Sequence, residues 1–104
     1  MKHSSPDVLE ALDSAWDDTS GFLGLLRSGK FLPELAEGYL RLLSSIEVSE
    51  GEALHPDFVR LVWFVPLFME WQVDRNVERG ANKGELVNFL DLIRERIMEI
   101  LGVP

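Results

Sequence analysis

The chain has 104 residues, no cysteine, and a net charge of −8 from 18 acidic and 10 basic residues. This length implies a single domain over residues 1–104, and the lack of cysteine excludes disulfides and thiolate metal sites. The acidic balance opposes direct binding to nucleic acid or to an anionic membrane, because their phosphate groups would repel it, and it favours a basic protein partner.

The first half of the chain predicts three helices. Residues 5–7 (Ser-Pro-Asp) place an N-cap residue, a proline and an acid in the order that begins a helix. A short second helix is expected over residues 22–27, capped by Thr19 or Ser20. Pro33 opens the third helix. Its apolar residues recur with the helical period, at Leu35, Tyr39, Leu42, Leu43 and Ile46.

An acidic linker and a strongly apolar segment follow. Residues 47–57 carry four acids and no Lys or Arg, and Pro56 begins the next helix. The segment Phe58–Met69 is apolar around nearly its whole circumference, but it is too short to span a bilayer, which takes ~20 residues. We therefore predict a buried central helix. Pro66 removes the hydrogen bond to the carbonyl of Val62, so this helix is expected to be kinked or broken there.

The chain closes with a charged helix end and one more helix. Glu70, Asp74 and Glu78 are like-charged neighbours on the helix surface, which Arg75 and Arg79 are expected to offset. After a glycine-containing connection, the last helix is predicted from about Glu85 to Leu101, with a buried face at Leu86, Leu90, Ile93, Ile97 and Ile100. Since no segment alternates like a strand, the sequence predicts an all-α, single-domain bundle of four to six helices.

Two glycines within predicted helices need an explanation. Gly24–Lys30 matches the spacing of a phosphate-binding loop, but Phe31 stands where Ser or Thr would hold magnesium, and no strand precedes it. The motif is therefore interpreted as the end of the second helix, with Gly29 as the C′ residue that ends it and Lys30 as a surface lysine. Gly38 costs its helix ~1 kcal/mol relative to Ala, unless another helix packs closely against it.

The sequence offers no convincing catalytic or metal site. Glu52, His55 and Asp57 lie within six residues of one another, but a zinc site normally uses two or three His or Cys ligands, and the only other histidine is His3. With no cysteine nucleophile and no serine in a nucleophile turn, we predict no catalytic residue, no metal and no cofactor. The chain is therefore expected not to be an enzyme.

Aromatic residues near Pro66 allow two interpretations. Trp63, Phe64, Phe68 and Trp71 are spaced to line a ligand pocket beside the proline, or to fill the core. Because aromatic residues at helical spacing most often pack in the interior, we favour the core.

The predicted partner-binding residues are acidic. They lie in two stretches of the sequence, at Asp13, Asp17 and Asp18 and at Glu47, Glu50, Glu52 and Asp57. If these stretches meet in the fold, they form a negative patch suited to steering a basic protein towards the domain. The alternative is that these acids serve only solubility.

A resemblance sharpens this expectation. The run Val62-Trp-Phe-Val-Pro-Leu-Phe-Met-Glu-Trp71, followed by Asp74-Arg75 and Gly80, resembles the central segment of small acidic helical immunity proteins. These belong to bacterial toxin–immunity pairs of the contact-dependent growth inhibition type. The resemblance covers about residues 56–84. It implies a cytoplasmic protein that binds a cognate toxin domain, often a nuclease, and blocks its active cleft; the absence of a signal-peptide pattern agrees with that location.

Two other functions remain open at this stage. The chain is also compatible with a helical adaptor or regulatory protein that acts by homo- or hetero-oligomerisation, and with a small-ligand carrier whose cavity lies at Pro66. The identity of the partner and the oligomeric state are not determined by the sequence.

Overall fold

Proline sets the start of four of the helices. It occupies the first helical position at Pro6, Pro33 and Pro56, where its missing N–H has no intrahelical partner to lose, and the second position at Pro66. The computed structural model describes residues 1–104 and contains six helices: α1 (Pro6–Ser14), α2 (Phe22–Arg27), α3 (Pro33–Ser45), α4 (Pro56–Val62), α5 (Val65–Glu78) and α6 (Lys83–Leu101). The predicted all-α fold is confirmed.

The starts of two helices differ from the prediction. The N-cap of α2 is Gly21, and neither Thr19 nor Ser20 caps it, because both residues donate hydrogen bonds to Asp17 instead. Helix α6 begins two residues earlier than predicted. Its N-cap is Asn82, whose side-chain oxygen accepts a hydrogen bond from the backbone N–H of Glu85 at 2.9 Å.

The predicted break at Pro66 separates two helices, α4 and α5. Trp63 and Phe64 lie between them, and both keep right-handed helical backbone angles. The N–H of Phe68 donates to the carbonyl of Phe64 at 2.9 Å and restarts the helical pattern. The two helices therefore follow one another as a joined, bent segment.

The core lies between pairs of packed helices. Helix α6 packs against α3 and α5, α1 packs against α4, and α2 packs against α5 and α3. Twenty-one buried apolar residues form one cluster, which includes Leu12, Leu23, Leu43, Phe58, Met69, Leu86 and Ile93. None of the helices combines the length and apolar composition needed to cross a membrane.

Two polar side chains tie neighbouring helices together. Arg96 of α6 donates from Nε to the carbonyl of Leu43 at 3.1 Å and from Nη2 to that of Ile46 at 2.8 Å, so it caps the C-terminal end of α3. The buried Asn76 of α5 donates from Nδ2 to the carbonyl of Leu26 at 3.1 Å, in the last turn of α2. These bonds fix how α5 and α6 are rotated against the other helices.

The expectation of a central helix buried on all sides is correct for only one side of α4 and α5. Phe58, Leu61 and Met69 are buried, whereas Trp63 and Leu67 are exposed. The helices that pack against this segment, α1, α2 and α6, leave one face of it open.

Candidate protein-binding surface

The open face of α5, extended at its N-terminal end by Trp63 of the α4–α5 junction, carries a row of large apolar side chains. Trp63, Leu67 and Trp71 follow one another at intervals of four residues, which places them on the same side of a helix. Their exposed fractions are 53%, 44% and 65%. We call these three residues the apolar row. Exposed aromatic residues that stand together are typical of protein interfaces, whereas single exposed apolar residues are common everywhere.

Aromatic rings of the core support the apolar row from below. The half-buried ring of Phe64 lies 5.4 Å from the ring of Trp63 and 5.4 Å from that of Trp71, measured between centroids. Phe64 also contacts Phe68, which packs edge-on against Trp16 at 5.0 Å. The exposed tryptophans are therefore held against a packed base, which lowers the entropy that they lose on binding.

The core assignment of the aromatic residues was wrong for two of the four. Phe68 is buried and Phe64 is half-buried, as predicted, but Trp63 and Trp71 point to solvent. The spacing of the row is the same as that of a core stripe. Sequence spacing alone therefore does not tell which of the two apolar faces the other helices cover.

The sequence also allowed the aromatic residues to line a ligand pocket near Pro66. The structure has an open cleft of about 300 Å³ beside Phe64. It is lined by Asp13, Trp16, Arg27, Arg60, Leu61 and Phe64. Arg27 is held at its edge, because its guanidinium lies 3.1 Å from Asp18 and 5.8 Å from the Trp16 ring. The cleft is thus a shallow, charged neighbour of the apolar row rather than an enclosed apolar cavity.

The seven predicted acidic residues form two groups. Asp13, Asp17 and Asp18 lie at and beyond the C-terminal end of α1. Glu47 and Glu52 lie beside Lys2 and His3, which precede the same helix. Glu50 lies in the turn between Glu47 and Glu52, and Asp57 is two residues from His55, whose N–H donates to His3. Helix α1, about 14 Å long at ~1.5 Å per residue, separates the groups.

Arg60 stands between the two acidic groups. Its Nε lies 3.9 Å from Asp57, and its side chain lines the same cleft as Asp13. The acids therefore do not form one uninterrupted patch, because a cation interrupts them.

Asp17 has a structural role in the turn that joins α1 to α2. Its Oδ1 accepts hydrogen bonds from the backbone N–H and the hydroxyl of both Thr19 and Ser20, at 2.9–3.0 Å. These bonds, first that from the Thr19 N–H, stabilise the ionised carboxylate and lower the pKa of Asp17 to about 2.

Four of the seven predicted acids already have partners within the chain. Besides Asp17, Asp18 pairs with Arg27, Glu52 accepts from the N–H of Ser49, and Asp57 lies near Arg60. The carboxylates of Asp13, Glu47 and Glu50 make no ion pair or hydrogen bond in the structure. These three acids are the ones most available to a partner.

The two histidines stabilise the fold locally. His3 is buried, packs edge-on against Phe58 with centroids 5.1 Å apart, and accepts a hydrogen bond at Nε2 from the N–H of His55 at 2.9 Å. His55 in turn caps α4 by accepting at Nδ1 from the N–H of Asp57. Nowhere does the structure bring three or more potential His or carboxylate ligands together as a metal site.

The glycines of the phosphate-loop-like motif are explained by packing. Gly24 lies within α2, and a Cβ there would fall 1.9 Å from the carbonyl oxygen of Asp17. Gly29 follows the C-cap of α2 with a φ of 85°, a conformation that favours glycine. Both positions serve the α1–α2 turn and the end of α2.

Comparison with models of known protein families, with curated proteins and with solved structures found no match to this chain. The function is therefore inferred from the chain's own surface.

Proposed function

We propose that this chain is a protein-binding domain and, within that class, a cytoplasmic immunity protein that neutralises a cognate toxin domain. The observation that carries the proposal is the apolar row, two tryptophans and a leucine exposed together on a supported helix face. Tryptophan is among the residues most enriched at the energetic centres of interfaces. In this proposal the chain acts by covering the active cleft of the toxin domain and not by catalysing a reaction of its own.

The charge of the domain supports a basic partner. A net charge of −8 attracts a basic protein over a distance comparable with the Debye length, ~8 Å at physiological salt. The unpaired carboxylates of Asp13, Glu47 and Glu50 add local attraction at the two acidic ends. A nuclease that binds nucleic acid presents such a basic cleft.

The segment that resembles immunity proteins, Val62–Trp71, contains the whole apolar row. This coincidence favours toxin neutralisation over a general adaptor role.

The proposal is tested by isolating the partner. The full chain is immobilised and exposed to native lysate of its source organism at low and at high salt, and bound proteins are quantified by mass spectrometry. We expect one basic partner, recovered less well at high salt, whose toxic activity the chain then abolishes in a reconstituted assay. An acidic partner, or a basic partner whose activity is unaffected, would contradict the proposal.

A matched charge experiment uses the free acids. Replacing Asp13 and Glu50 by Lys is expected to slow association with the partner, because it removes attraction without breaking any bond of the fold. The control replaces Glu34 and Glu37 by Lys, two exposed acids of α3. Equal slowing by both pairs would assign the effect to net charge and not to the two acidic ends.

A further inference from the structure

A second row of side chains runs parallel to the apolar row on α5. It consists of Glu70, Asp74 and Glu78, which are also spaced by four residues and are all exposed. We call these three residues the acidic row. Glu70 lies three residues after Leu67, and Asp74 lies three residues after Trp71. Residues three and four apart are neighbours on a helix, so the two rows lie side by side along one face.

The acidic row is not neutralised within the chain. None of its three carboxylates takes part in an ion pair or a side-chain hydrogen bond, and the pairing with Arg75 and Arg79 expected from the sequence is not formed. Arg75 lies four residues after Trp71, on the same side of the helix as the apolar row, and adds one positive charge against the three negative charges of the acidic row. The face is therefore apolar along one line and anionic along the next.

This arrangement has the form of a helix-packing surface. Side chains four residues apart form ridges, and helices pack by placing the ridge of one into the groove between two ridges of the other. A second helix that fits here needs apolar residues over Trp63, Leu67 and Trp71, and Lys or Arg along the edge that meets the acidic row.

A second copy of this chain fits the face poorly. It would bring another net charge of −8 and another acidic row, which repel those of the first copy. A basic helix meets the same face with opposite charge.

We propose that this face of α5 docks a basic amphipathic helix of the partner protein. The inference rests on the proposed function, because it names the element of a basic protein that the chain recognises. The apolar row supplies the buried contact, and the acidic row selects the partner helix and sets its direction by pairing with Lys or Arg along one edge.

The test uses the full chain and a synthetic peptide of about 18 residues, long enough to form a helix, with leucines on one face and lysines along its edges. Binding is measured by fluorescence anisotropy of the labelled peptide at two salt concentrations. Replacing Trp63 and Trp71 by Ala is expected to weaken binding about tenfold or more. The control replaces Leu92 and Met98 by Ala, two exposed apolar residues of α6 (40% and 47%), and is expected to leave binding unchanged.

The charge component has its own variant. Glu70→Gln, Asp74→Asn and Glu78→Gln together are expected to weaken binding about tenfold and to reduce its salt dependence, because three paired charges are lost. The control neutralises Glu10, Glu34 and Glu37, three exposed acids of α1 and α3, by the same change to Gln. It alters net charge equally and is expected to have a much smaller effect.

With the purified chain, three outcomes would overturn the inference: no binding of the peptide by the unmodified chain, equal weakening by the α5 variants and their controls, or self-association that the Trp63→Ala and Trp71→Ala changes abolish. The last would assign the face to a second copy. A basic partner recovered from lysate equally well by the tryptophan variant would overturn this inference and leave the proposed function standing. Peptide binding as expected, with no basic partner in lysate, would overturn the proposed function alone.

Discussion

At the scale of single residues, Asp17 shows how one carboxylate organises a turn. Because four hydrogen bonds favour its ionised form, the pKa in the folded chain lies below that in the unfolded chain, ~3.9. The carboxylate therefore stabilises the fold above about pH 4, and this contribution is lost as the pH falls through about 2. We expect a carboxyl NMR titration of Asp17 to have its midpoint near 2. A midpoint near ~3.9 would show that the turn is not formed.

Two helical glycines provide opposite predictions for the same substitution. At Gly24 a methyl group would collide with the backbone of Asp17, so Gly24→Ala is expected to destabilise the fold by about 1–3 kcal/mol. At Gly38 no atom outside its own stretch of helix lies within 4 Å of the Cβ position, so Gly38→Ala is expected to stabilise the fold by about 1 kcal/mol. Urea unfolding measures both. A stabilising Gly24→Ala would contradict the packing described at Gly24, and a destabilising Gly38→Ala would contradict the open space described at Gly38.

Tyr39 carries a buried hydroxyl without a hydrogen-bond partner. Burial raises the pKa of this phenol well above its ordinary value, so the group stays neutral at every physiological pH. Tyr39→Phe removes only the unpaired oxygen and is expected to leave stability unchanged or to raise it by about 1 kcal/mol. A loss of stability in thermal unfolding would indicate that the hydroxyl is bonded after all.

The roles of some single residues were predictable from the sequence, and those of others were not. The role of Gly29 as the residue that ends α2 was predicted, because the left-handed conformation has a sequence signature. The role of Asn76 was not, because the α2 carbonyl that accepts its hydrogen bond lies 50 residues away along the chain. The role of Asp17 was missed although its partners, Thr19 and Ser20, are only two and three residues away and such a turn has a local signature. A polar residue at a buried helix position, as Asn76 is, gives no sign in the sequence of whether it faces core or solvent.

At the scale of helices, Arg96 connects α6 to the end of α3. Its two bonds to backbone carbonyls are charge-assisted, so Arg96→Met is expected to cost about 2 kcal/mol. Arg94→Met is the matched control, because Arg94 pairs only with the exposed Asp91 and should cost less than ~1 kcal/mol. Urea unfolding at one pH compares the two variants, and equal costs would contradict a capping role for Arg96.

Helices were predictable where a local signal fixes them. The prolines and the 3.6-residue period located α1, α3 and α4, and the proline signal at residue 66 located the junction between α4 and α5. The side of α5 that faces solvent was not predictable. The segment is apolar on both sides, and the choice depends on where α2 and α6 pack against it.

At the scale of the whole molecule, the proposed complex gives charge and apolar surface separate roles. In that complex the net charge of −8 and the free carboxylates would act at a distance and set the rate of encounter, which salt reduces. The apolar row would act on contact and set the lifetime of the complex. We therefore expect salt to change mainly the association rate and Trp63→Ala with Trp71→Ala mainly the dissociation rate, measured by surface plasmon resonance with the purified partner. A tryptophan variant that dissociates no faster would contradict this division.

The candidate site as a whole was only partly predictable. The sequence pointed to an acidic protein-binding domain, but it assigned binding to the acids of the α1–α2 turn and the linker. The exposed tryptophans were placed in the core. This happened because charge is visible in a sequence without a fold, whereas the exposure of an apolar side chain is a property of the neighbours that fail to cover it.

The central claim, that the chain binds a basic protein through the apolar row, is tested most directly by one capture experiment. The unmodified chain, the Trp63→Ala and Trp71→Ala variant and the Leu92→Ala and Met98→Ala variant are immobilised side by side in native lysate of the source organism. We predict a basic protein that the unmodified chain and the α6 variant retain and the α5 variant loses. Retention of the same basic protein by all three would contradict the claim.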